Sequence, residues 1–220
     1  VRRMLDETIE KYHSIGRTHL DVACGTGYEI EYFSRRGFQS YGVDASVPML
    51  AVARKRAHRL AAGDFRALPF RGTFARITCL YDSFNHIQER AELVEAFTSV
   101  ARLMSDQSLF LFDMNHPEIY PAVWGMRDPF VASGADYHLE IATKYRKREK
   151  RGIGRVTGWA MLRGERVDIR ETHEQRAWSE REIREALDEA RLEPLEVVAF
   201  DPFQEIEEVN AAGVKLFFVC

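Results

Sequence analysis

The chain has few cysteines, no long apolar run and no excess of charge of one sign, and each of these absences excludes a class. Only three cysteines occur in 220 residues: Cys24, Cys79 and Cys220. Odd in number and widely spaced, they form no disulfide framework, and no CxxC pair offers a zinc site. They are expected to be buried thiols of a reducing, cytoplasmic setting. No stretch approaches the ~20 apolar residues a membrane helix needs. VRRMLDETIE, at the start, has no apolar segment behind its arginines, so it is not expected to be a secretory signal. Because the chain opens on Val1, upstream residues are expected. Lys and Arg number 31 against 34 Asp and Glu, a net −3, which leaves no basic field for nucleic acid.

What is present suits a globular protein. Apolar residues make up 45% and charged residues 30%, enough for one core with an inserted subdomain. In the first half, short apolar runs alternate with helix-period segments. Strands are predicted at 18–23, 39–44, 59–64, 75–82 and 108–113, with helices at 27–36, 48–58 and 88–104 between them. Such alternation predicts an α/β fold with a Rossmann-like, doubly wound, mostly parallel sheet. After Pro117 the period changes to two, at 137–145, 155–162 and 166–178. This predicts an antiparallel meander of about three strands, inserted after the fifth strand. Ser179 and Glu182 form a capping box for a following helix. Runs at 194–200 and 214–220 predict a terminal hairpin, bringing the main sheet to seven strands. The expected division is a core of 1–117 and 179–220, with 118–178 as an inserted subdomain or lid.

The sharpest local signal is LDVACGTGYEIEYF, a strand, a loop holding Gly25 and Gly27, and a helix. Glycines there let a ligand approach the backbone, and the helix N-terminus offers free N–H groups. The dinucleotide pattern G-x-G-x-x-G/A fails at its third position, Ile30, which argues against an NAD-linked dehydrogenase. No Gly-Lys-Ser/Thr supports a P-loop.

DVACGTG resembles the first motif of class I S-adenosylmethionine-dependent methyltransferases, with Ala23 where the family usually has glycine. The resemblance implies a loop against the methionine part of the cofactor, with an acidic residue at Asp21. It assigns Asp44, 19 residues after Gly25 in VDASVPML, to the ribose hydroxyls, with Ala45 and Met49 near the adenosine. In GDFRALPF it implies that Asp64 meets the adenine amino group and the Phe65 backbone N–H a ring nitrogen. CLYDSFNHI resembles the post-strand segment of small-molecule methyltransferases, notably amino-sugar N,N-dimethyltransferases. Tyr81 and Asp82 would border the cofactor, and His86 would face the substrate as a proton acceptor. The segment is not the N/D-P-P-Y/F of enzymes that methylate flipped bases.

The expected function is methyl transfer from S-adenosylmethionine to N or O of a small-molecule substrate, leaving S-adenosylhomocysteine, with no metal. The alternative is a binding module or partner subunit without turnover. Tyr12, Tyr145 and His173 join His86 as candidate substrate contacts, and Gln175 is a further polar residue of the lid. The basic segment 144–155 reads as a solvated hairpin tip. Neither a nucleic-acid nor a membrane partner is expected, and the oligomeric state is open, a homodimer included. A helix around 2–13, ending near Tyr12 and His13, and the 118–178 insert with Trp124 are the expected covers of the cavity.

Overall fold

The computed structural model describes residues 2–12, 15–162, 164–201 and 215–220. His13 lies outside the described residues. An N-terminal helix, α1 (Arg2–Lys11), precedes the alternating half of the chain. That half runs β1 (Thr18–Val22), α2 (Tyr28–Arg35), β2 (Gln39–Asp44), α3 (Val47–Ala53), β3 (Leu60–Ala62), β4 (Arg76–Cys79), α4 (Arg90–Ala101) and β5 (Leu109–Asn115). Helix α3 stops at Ala53, short of the expected residue 58. Ala53 packs where a side chain on Gly27 would stand, and Ala57 is buried beside Ile30 and Leu50. The chain tightens there into turns that carry it into β3.

A second run of strands follows: β6 (Phe130–Gly134), β7 (Tyr137–Arg146), β8 (Arg151–Leu162) and β9 (Glu165–Arg176). They form an antiparallel sheet in chain order, four strands rather than about three. Strand β6 escapes sequence reading because all five of its residues are exposed, so no apolar alternation marks it. Residues Tyr120–Trp124 make a single π-helical turn before it, which no periodicity signals. Helix α5 (Glu180–Glu189) begins with the expected capping box, and Ile183, Ala186 and Leu187 are its buried stripe.

The chain closes with β10 (Glu196–Phe200) and β11 (Lys215–Val219), an antiparallel pair. The main sheet has the order β10-β11-β5-β4-β1-β2-β3, with β11 antiparallel to both neighbours. Strands β4 and β5 are buried along their whole length, as central strands covered on both faces should be. The core is aromatic at the β5–β11 seam, where Phe112 stacks flat on its register partner Phe218 with ring centres 4.7 Å apart. Chain order reverses between β1 and β4. A parallel sheet opens a crevice at such a point, beyond the carboxyl ends of its strands.

Candidate active site

The crevice is a cavity of about 830 Å³, within the range of small-molecule and cofactor sites. Its floor is the loop after β1. The Cys24 N–H donates to the Val43 carbonyl and the Gly27 N–H to the Cys24 carbonyl, which folds the loop back on itself. Gly25 and Gly27 have φ of 52° and 81°, in the left-handed region that favours glycine. A Cβ on Gly27 would stand 3.1 Å from that of Ala53, so this glycine serves helix packing. A Cβ on Gly25 would have only the Met49 sulfur as a neighbour, at 3.8 Å, so this backbone is open to a ligand.

Asp44, at the end of β2, braces the loop. One carboxylate oxygen accepts from the Gly25 N–H and the other from the Ser46 N–H, both at 2.7 Å. Each oxygen keeps a lone pair, and the residue lines the cavity.

Asp21 is buried at the floor. The hydroxyl of Thr78 donates to it at 2.7 Å, and His19 Nε2 lies 2.9 Å from the same hydroxyl oxygen. Since the Thr78 proton is spent on Asp21, His19 must donate from Nε2. Burial pushes the Asp21 carboxyl up to about 8; Glu29 and Asp44 add to the shift, and the Thr78 bond opposes it. Burial likewise lowers His19 to about 3, so it stays neutral. Binding a cationic ligand favours the ionised carboxyl, so affinity should rise with pH from 6 towards 8 and then level off. Calorimetry of the expected cofactor S-adenosylmethionine, a sulfonium cation, at pH 7 in buffers of different ionisation enthalpy should show proton release that Asp21→Asn abolishes. Without ligand the sign is opposite. Between 3.8 and about 8 the folded chain keeps a proton that the unfolded chain has released, so stability falls as pH rises through that window.

Glu29, on the first turn of α2, is also buried. Oε1 accepts from the Tyr81 hydroxyl at 2.9 Å and from Arg2 at 3.2 and 3.3 Å, while Oε2 is buried with no partner among the described residues. Arg2 and Tyr81 line the cavity with it, so α1 supplies part of the wall. At the opposite end, Asp64 is clasped by Arg66, which bonds both its oxygens and also pairs with Glu92. That clasp holds the Asp64 carboxyl below its ordinary value. Phe65 lies beside it, its ring meeting Phe84 edge-on.

The turn after β4 forms the upper wall. Tyr81 and Asp82 have φ of 61° and 54°, unfavourable for non-glycine residues. Asp113 compensates: its carboxylate accepts the Tyr81 N–H at 2.6 Å and the Asp82 N–H at 3.1 Å. Lys215 then bridges Asp82 and Asp113, 2.5 Å from each. Residues Ser83–His86 make a short 3-10 turn that brings His86 to the cavity. His173, from β9, lies there too, edge-on to His86 with ring centres 6.2 Å apart. Burial lowers the His86 pKa, with His173 adding to the shift and Asp82 opposing it.

Of the residues singled out from sequence, Asp21, Ala23, Gly25, Asp44, Ala45, Met49, Asp64, Phe65, Tyr81, His86 and His173 line this cavity. Four do not. Gly27 lies beneath the loop as the cap of α2. The Asp82 carboxylate turns to Lys215 and Gln175. Tyr12 donates to Glu196, and Tyr145 packs against Tyr120. Trp124 lies over Gly152 and Gly154 of the second sheet. Sequence reasoning missed Arg2, Tyr28, Glu29 and Ser46 in the wall. One signal was readable: Glu29 and Phe33 are four apart, so a carboxylate sits on the buried stripe of α2. Among the described residues no His, Cys, Asp and Glu cluster could hold a metal, and no helix is long and apolar enough to cross a membrane.

The fold and the crevice define a Rossmann-like, nucleotide-type cofactor site. Residues 20–107 match the methyltransferase domain family. The chain is 27% identical over 210 residues to YqeM of Bacillus subtilis, a putative methyltransferase, covering 90% of this chain and 81% of that one. It is 36% identical over 84 residues to dTDP-3-amino-3,6-dideoxy-alpha-D-glucopyranose N,N-dimethyltransferase of Streptomyces fradiae, covering 37% of this chain and 33% of that enzyme. The crystal structure of a S-adenosylmethionine-dependent methyltransferase from Clostridium acetobutylicum superposes with a TM-score of 0.85 at 22% identity, covering 99% and 88% of the two chains. Over residues 20–107 the chain is a methyltransferase domain.

Proposed function

We propose that this chain takes a methyl group from S-adenosylmethionine and transfers it to nitrogen or oxygen of a small molecule, with an amine as the favoured acceptor. The observation that carries this reading is the meeting of His86 from the main fold and His173 from the second sheet at the cavity that also holds Asp44 and Asp64. Asp44 would accept from the ribose hydroxyls, Asp64 from the adenine amino group, and the Phe65 N–H would donate to the ring. Ala45 and Met49 would flank the adenosine. The carboxylates Asp21 and Glu29 and the fork of Arg2 would hold the charged methionine end near the Gly25 backbone. The orphaned Glu29 oxygen and the open Gly25 backbone are what such a group fits.

S-adenosylmethionine supplies a methyl group already activated by a positive sulfur, which keeps the bonding electrons as the methyl leaves. The chain's work is alignment, exclusion of water and removal of one proton. His86, held neutral by burial, would take the proton from the acceptor nitrogen as its lone pair bonds the methyl carbon. Residues 118–178, the inserted subdomain on this reading, would cover the acceptor. The setting we propose is the cytoplasm, where three buried free thiols stay reduced.

The test is an incubation with S-adenosylmethionine and a panel of amines and hydroxy compounds, read by mass spectrometry. Nucleotide-linked amino sugars head the panel, because the Streptomyces fradiae relative is named for one. A product one methyl heavier is expected, and His86→Ala should lower its rate by about 10²–10⁴, the usual contribution of general acid–base catalysis. Tight binding of S-adenosylhomocysteine with no methylated product anywhere in the panel would leave only the module without turnover.

A further inference from the structure

Gln175, on β9, is one of the few polar side chains the fold buries almost completely. Its amide joins the two sheets. The oxygen accepts from Asn115 Nδ2 of β5 at 2.9 Å and from the Tyr120 hydroxyl at 3.1 Å. The nitrogen donates to Asp82 Oδ2 at 2.6 Å and lies 3.5 Å from His86 Nε2. Only one amide orientation satisfies these neighbours. Turned over, it would set NH₂ against NH₂ at Asn115 and oxygen against a carboxylate at Asp82.

That constraint passes to His86. With one amide hydrogen spent on Asp82, the other faces His86 Nε2. That ring nitrogen must then present a lone pair, and the ring hydrogen sits on Nδ1. We propose that Gln175 is a positioning residue for methyl transfer: through one amide the second sheet fixes the tautomer of His86 and the place of the Asp82 turn. This rests on the reading of His86 as proton acceptor: the tautomer it imposes leaves Nε2 unprotonated, engaged by a 3.5 Å contact to Gln175 that an incoming proton would displace. The charged groups around His86 are Asp82 on its own turn, His173 on β9, and Lys215 on β11 behind Asp82. Gln175 is the neutral member that sets which nitrogen faces them.

The experiment is imidazole NMR on the full chain, following His86 against pH in the wild type, Gln175→Glu and Gln175→Leu. In the wild type we expect the Nδ1–H tautomer at high pH and a midpoint below the ordinary 6.5. Gln175→Glu places an acceptor at the same spot. It should switch His86 to the Nε2–H form and move its midpoint above 6.5, a rise of about 1–2 units from the wild-type value. A merely loosened sheet returns the midpoint to 6.5 at most, so the two effects separate. Gln175→Leu removes the donor without adding charge and should leave both tautomers populated, which keeps the test open if the glutamate variant does not fold. An Nε2–H tautomer in the wild type, or the wild-type tautomer in every folded variant, overturns the proposal. These readings need no turnover, so they test the tautomer Gln175 imposes apart from the proposed function, which fails if no amine or hydroxy compound in the panel is methylated.

Discussion

Replacing Asp44 by alanine should weaken S-adenosylhomocysteine binding by about 2–3 kcal/mol, or 30–150-fold. On the proposed assignment, the ribose loses a charged acceptor, an interaction worth roughly 1.5–3 kcal/mol. The loop also loses its brace, because the Asp44 carboxylate holds both the Gly25 and the Ser46 N–H groups. Gly25 is the residue whose backbone stands open to the ligand, so its release adds a cost that a purely local contact would not have. Asp44→Asn keeps one acceptor oxygen and should fall between. Calorimetry on all three proteins checks this, and an alanine variant within twofold of the wild type would remove Asp44 from the cofactor site.

The second large effect concerns Phe84. Its side chain is fully buried, and its ring meets Phe65, Phe97, Phe110 and Phe112 edge-on. Phe84→Ala should destabilise the fold by about 3–5 kcal/mol, the range for emptying an aromatic site in a core. For a chain of this length that is on the order of 10 °C in Tm. The same change should loosen Phe65, which lines the cavity, and so reduce affinity for S-adenosylhomocysteine. Phe97→Ala removes a comparable ring that makes no ring contact with Phe65; it should lower Tm similarly and leave affinity nearly unchanged. Thermal melts with matched binding curves distinguish the two. Equal affinity losses in both variants would show that Phe84 acts only as core.

The parallel half was legible because its signals are short-range. Strands β1 to β5 are apolar runs, and the helices between them carry a stripe of period 3.6. The glycine loop and the strand-end Asp44 and Asp64 were likewise readable, each lying just beyond a strand. What escaped has longer range or no period. The exposed β6 has no buried face to reveal it. The arrangement of Asp82 depends on Lys215, 133 residues away. Gln175 could be seen as a polar residue of a strand, but its role needs Asn115, Tyr120 and Asp82, which only the fold brings together. Arg2 enters the wall because α1 crosses the start of α2, a packing that no spacing encodes.

Lys215 also bears on the order in which synthesis can build this enzyme. Strand β11 sits inside the main sheet, between β5 and β10, and carries the ammonium that pins the turn after β4. A growing chain can assemble β1 to β5 early, since their contacts lie close in sequence. It cannot neutralise Asp82 and Asp113 until residues 215–219 have left the ribosome. Until then two carboxylates face each other across a strained turn, and the seam of β5 is an open edge of the kind that pairs with foreign strands. The upper wall of the cavity is therefore completed after the glycine loop, and a chain arrested before residue 215 carries that loop without the finished wall that faces it.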